Sequence, residues 1–92
     1  MTACKNSLAL ELDARMVDFL KIDLLLGLTF AGAAQKTRNA PRKLRNQENA
    51  RKVFDTILRF RQRTSPGRED AQEISENLER LRTALKKLGE QV

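Results

Sequence analysis

The sequence predicts an all-α fold, a three-helix bundle built on a long antiparallel helical hairpin. Three observations predict it. Leu, Ala, Arg, Lys and Glu dominate the 92 residues, while Trp and Tyr are absent and Val and Ile are few, so helix formers outweigh strand formers. Two proline-bearing breaks, 36–41 and 64–67, divide the chain into three parts. Within the parts, apolar residues recur at helical spacing. A chain of this length reads as a single helical domain over 1–92. It is short enough that tight packing or oligomerisation must add to a modest core.

Residues 1–12 are weakly patterned. Leu8, Leu10 and Leu12 alternate with Ala9 and Glu11, but no second strand exists to pair with them. This stretch reads as a flexible, irregular arm or as the first turn of a longer helix.

The first helix is expected over about 13–37. On a helical wheel Met16, Phe19, Leu20, Leu24, Leu26, Phe30, Ala31 and Ala34 form a broad apolar face, which Val17, Ile22, Leu25 and Leu28 extend. Only a wedge of Asp18, Lys21, Thr29 and Gly32 looks solvated. A helix apolar nearly all round is normally surrounded by protein. Gly27, Ala31 and Ala34 share one side, and small residues there let a second helix approach closely.

Asn39 as N-cap and Pro41 in the first turn start the second helix, expected over about 41–63. Its apolar face is Ala50, Val53, Phe54, Ile57, Leu58 and Phe60. The third helix is expected over about 66–88, with Ser65 as its N-cap and Pro66 following. Glu69, Asp70 and Glu73 near its start, and Lys86 and Lys87 near its end, complement the helix dipole. Ala71, Ile74, Leu78, Leu81, Leu85, Leu88 and Val92 follow an a/d heptad seam. Glu76 and Arg80 are spaced as an i,i+4 pair.

Charge narrows the function classes. The net charge is +6, and residues 36–63 alone hold ten bases and two acids, net +8. Histidine is absent, which removes the commonest general base and metal ligand. No catalytic, cofactor or metal motif is present, and an enzyme is not expected. Glu11, Asp13 and Asp18 lack the Glu-x-x-His partner of di-iron bundles. The single cysteine, Cys4, has neither base nor second thiol beside it, and it fits a reducing cytoplasm. No apolar segment follows Lys5, so no secretory signal is read. The longest uncharged run, Leu24–Gln35, is shorter than the roughly 20 residues a membrane span needs, so no membrane partner is expected.

Lys36, Arg38, Arg42 and Lys43 cluster at one end of the second helix, and Arg61, Arg63 and Arg68 at the other. They are candidate contacts for a nucleic acid or an acidic partner. Between them Arg45, Glu48, Lys52, Asp55 and Arg59 alternate in sign and read as a self-paired solvated ladder. Asp23 falls within the apolar face of the first helix. It is read as a structural ion pair with an arginine of another helix, Arg51 for example, or else as a ligand-binding or acid–base group.

Leu26-Gly27-x-x-Phe30, with Ala50-x-x-x-Phe54-x-x-Ile57 further on, resembles the two-helix pattern of a tetratricopeptide repeat over about residues 20–63. The two halves stand further apart than in a repeat of roughly 34 residues, and no second repeat follows. The resemblance implies protein–protein interaction.

The expectation is therefore a non-catalytic interaction or structural protein that forms a homodimer through its first helix, without a cofactor. Val17, Leu25, Leu28 and Phe30, together with Leu78, Leu81 and Leu85 of the leucine seam, are the expected interface. The alternative is a small basic nucleic-acid-binding helical dimer.

Overall fold

The computed structural model describes residues 2–92, with side chains from Glu11 onward. Its elements are α1 (Thr2–Lys36), α2 (Ala40–Arg61) and α3 (Arg68–Lys87). They pack against one another as an all-α three-helix bundle, elongated to 58 × 21 × 18 Å.

α1 starts well before residue 13, so of the two readings of the N-terminal stretch the longer helix holds and the irregular arm does not. No Gly or Pro interrupts the chain before Gly27, and the alternating leucines are interspersed with Ala and Glu, good helix formers. Cys4 lies outside the residues whose side chains are described. Asn39 caps α2 as expected, with extended backbone and its side-chain oxygen accepting from the Arg42 N–H at 3.0 Å. The N–H of Asn39 in turn donates to Thr37 Oγ1 at 3.2 Å.

Ser65 does not cap the third helix. Its backbone N–H donates to Asp13 Oδ1 at 3.0 Å, which ties the α2–α3 turn to α1. Helix α3 begins two residues later than expected, after an extended Gly67 that has no side chain to cap with. At the far end Gly89 takes φ +97°, a backbone conformation open to glycine, and closes α3. The N–H of Gly89 donates to Lys86 O at 3.0 Å and that of Glu90 to Leu85 O at 2.9 Å. This turn aims the C-terminus at α2, where Glu90 accepts from Gln47 at 2.7 Å and from Arg51 at 3.2 Å.

α1 is the central element and packs on both α2 and α3, which meet each other less extensively. The core joins Val17, Leu20, Leu24 and Ala31 of α1 with Ala50, Val53, Phe54 and Ile57 of α2 and Ile74, Leu78, Leu81 and Leu85 of α3. The leucine seam therefore closes onto its own hairpin. Gly27 sits where the three helices converge: a Cβ there would lie 2.7 Å from Val53 Cγ1 and 3.1 Å from Leu81 Cδ2. Lys21, expected in the solvated wedge, instead bridges α1 to α3, 2.9 Å from Asp70 and 3.7 Å from Glu73. The hydrogen bond to Asp70 raises its pKa.

Among the described residues, no helix is long and apolar enough to cross a membrane.

Candidate interaction surface

The circumference of α1 divides into a sector that faces α2 and α3 and a sector that faces out. The inner sector carries Val17, Leu20, Leu24, Ala31 and Ala34, all at 3% exposure or less. The outer sector carries Leu12, Phe19, Ile22 and Leu26, which remain 57%, 48%, 67% and 47% exposed. Positions 12, 19 and 26 are seven apart, and Met16 and Ile22 fall between them. This spacing draws one apolar stripe along the helix. Leu25, also exposed, lies about 100° further round and outside the stripe.

Towards the α2–α3 turn the stripe widens. Leu12, Arg15, Met16, Phe19 and Phe60 line a hollow of about 420 Å³ between α1 and α2. The Arg63 guanidinium caps the adjoining Phe60 ring, 5.6 Å from its centroid.

This arrangement corrects most of the expected interface. Val17, Leu78, Leu81 and Leu85 are buried in the chain's own core, and Leu28 and Phe30 are partly buried against it. None of the buried four can meet a second copy while the bundle is intact. Of the expected set only Leu25 is exposed, and it is off the stripe. The exposed apolar stripe consists instead of Leu12, Phe19, Ile22 and Leu26. Their signal was in the sequence as the 12–19–26 spacing, but a wheel that is apolar nearly all round does not say which sector the partner helices will cover.

Asp23 lies at the edge of the stripe, half-buried, with no hydrogen bond or ion pair among the described residues. The expected pairing with Arg51 is not made. Arg51 sits 3.1 Å from Asp55 and 3.2 Å from Glu90. Burial alone pushes the Asp23 carboxyl above the usual aspartate range.

The basic residues separate into two ends. Lys36, Arg38, Arg42 and Lys43 are all exposed around the α1–α2 turn. Lys87 of α3 lines a hollow with Gln35, the residue before Lys36. Arg61 and Arg63 are exposed at the opposite end of α2, roughly 30 Å away at helical rise. No two members of the α2 charge ladder are ion-paired with each other among the described residues, and Asp55 is taken by Arg51 rather than by Lys52 or Arg59. On α3 Glu76 accepts from Gln72 at 3.0 Å instead of pairing with Arg80. Arg82 lies 5.4 Å over the Phe54 ring with its Nε 3.4 Å from Glu79.

Among the described residues, no group of three or more His, Cys, Asp or Glu side chains is gathered as a metal ion would need. Compared with protein-family models, curated proteins and solved structures, the chain finds no match.

Proposed function

We propose that the chain is a small, non-catalytic helical interaction protein that self-associates through the outer face of α1. The observation that carries this reading is the stripe of Leu12, Phe19, Ile22 and Leu26, each about half exposed or more. Covering the remainder of such side chains is worth about 1 kcal/mol each, roughly half the value of full burial. Eight of them across two copies give a gross ~8 kcal/mol, of which at most about 4 kcal/mol remains once the cost of association is subtracted. From these side chains alone the self-association is accordingly weak, about millimolar. The tetratricopeptide-like spacing around Gly27 and Phe54 supports the same class, a helical hairpin that binds protein.

Sedimentation velocity from roughly 10 μM to several mM tests it, a range that brackets the affinity expected from this burial. The wild type is expected to pass from monomer to dimer, and Leu26→Glu to stay monomeric with unchanged helicity. A wild type that is monomeric throughout overturns the reading.

A second reading, a basic nucleic-acid-binding dimer, draws support from the exposed cluster of Lys36, Arg38, Arg42 and Lys43, none of which is ion-paired among the described residues. Filter binding over a salt series distinguishes the two. A log K that falls by several units per log unit of salt favours this reading, and negligible binding removes it.

A further inference from the structure

The pattern along the α1 stripe points to its occupant. We infer that a second copy of this chain lies antiparallel on the stripe, with the two-fold axis passing through Phe19. The inference rests on the self-association proposed above and specifies its geometry.

Three, four and seven residues out from Phe19, the positions return to one helix face. On one side they hold Met16, Arg15 and Leu12. On the other they hold Ile22, Asp23 and Leu26. A two-fold axis at Phe19 sets each residue against its mirror position in the partner, as an isologous interface requires. Leu12 then meets the partner's Leu26, Met16 meets the partner's Ile22, and Phe19 meets the partner's Phe19. Arg15 meets the partner's Asp23, and this pair occurs twice.

The charges favour this register over the others. A parallel pair in register sets Arg15 beside the partner's Arg15 and Asp23 beside the partner's Asp23, two like-charge contacts. An antiparallel pair shifted by a turn leaves Asp23 without a cation. Within one chain Asp23 has no partner among the described residues, while Arg15 is exposed and bonded only to Glu11, 3.0 Å away on the same helix. Both groups are therefore available for a cross-helix pair. Phe19 is also the midpoint of Thr2–Lys36, so the two copies of α1 overlap along their whole length. The basic turns at Lys36–Lys43 then lie at opposite ends of the dimer, roughly 50 Å apart by helical rise, and do not repel each other strongly.

The test exchanges charges on exposed positions. R15D makes the stripe wholly acidic, and D23R makes it wholly basic. Each variant alone is expected to self-associate about tenfold more weakly than wild type, because both cross-helix pairs become repulsive. An equimolar mixture is expected to return to wild-type affinity, because every cross-helix pair is again attractive. A mixture no tighter than either variant alone, beside a wild type that dimerises, overturns this geometry and leaves the self-association standing. A wild type that never dimerises, its stripe then serving a different protein, overturns both.

Disulfide trapping in a Cys4→Ser background gives a second, independent readout. Phe19→Cys, on the axis, is expected to cross-link to itself under mild oxidation. Ile22→Cys lies opposite the partner's Met16, about 9 Å along the helix from its own copy and too far for a disulfide, so it is expected not to. The reverse preference overturns the geometry.

Discussion

Two glycines of α1 should respond oppositely to the same substitution. At Gly27 a new Cβ would stand 2.7 Å from Val53 Cγ1 and 3.1 Å from both Val53 Cβ and Leu81 Cδ2. Val53 is β-branched, nearly buried and stiff about χ1. Rotating its methyl away leaves Val53 Cβ still at 3.1 Å, so the helices themselves must part. Overpacking of this kind costs up to about 3 kcal/mol, against about 1 kcal/mol gained from the better helix propensity of alanine. The net loss is therefore about 1–2 kcal/mol, a fall in Tm of roughly 5–15 °C for a domain of this size. Gly32 has nothing within 4 Å of its Cβ position, so Gly32→Ala should raise stability by about 0.5–1 kcal/mol.

Thermal unfolding followed by circular dichroism, with all variants at one concentration, reads both. A double variant sharpens the assignment. With Val53→Ala already present, the 2.7 Å contact is gone and only the two 3.1 Å contacts remain, so Gly27→Ala should cost clearly less than in the wild type, a coupling that independent sites do not show. If Gly27→Ala matches Gly32→Ala in the wild-type background, the close approach of α1 and α2 is refuted.

Two further outcomes follow from single contacts. Asn39→Ala removes the side-chain acceptor for the Arg42 N–H and should lower stability by about 1 kcal/mol, while Asn39→Asp or Asn39→Ser should retain most of it; equal loss in all three would show that the cap does not matter. Lys21→Met removes the bridge to Asp70 and Glu73. The Lys21 pKa is raised above its ordinary 10.5 in the folded chain, so its contribution is fully present below that value and is lost as pH rises through the raised pKa. Denaturant midpoints of wild type and Lys21→Met should differ at neutral pH and converge in strong alkali, and a gap constant with pH would count against the bridge.

The helical class, the two breaks, the Asn39 cap and the α3 seam were legible because each is a local signal. Asn39 bonds a backbone N–H three residues on, and the spacing of Ile74, Leu78, Leu81 and Leu85 is a property of one helix. The errors share a different origin. Ser65 looked like a cap until Asp13, 52 residues away in sequence, accepted its N–H. Asp23 looked like the partner of Arg51, but Arg51 is held by Asp55 on its own helix and by Glu90, which the left-handed turn at Gly89 aims at α2. Val17, Leu78, Leu81 and Leu85 were expected at an interface and are core, because the division of α1 into inner and outer sectors is set by where α2 and α3 dock, and only Gly27 hinted at that.

The proportions of the helices explain why the stripe remains uncovered. α1 has 35 residues against 22 in α2 and 20 in α3. At helical rise it is roughly 52 Å long, about 20 Å longer than either neighbour. Two shorter helices packed side by side on one half of a longer one cover neither its opposite face nor its full length. Repacking within the chain cannot remedy this, because the chain has no fourth helix among the described residues to lay there. An antiparallel α1 from a second copy matches in length, and it brings the C-terminal half of one α1 alongside the N-terminal half of the other. The same partner would supply a cation to Asp23, the one carboxylate among the described residues that burial raises without a compensating contact. Length, apolar exposure and the unpaired acid are three separate observations, and a second copy of α1 answers all three.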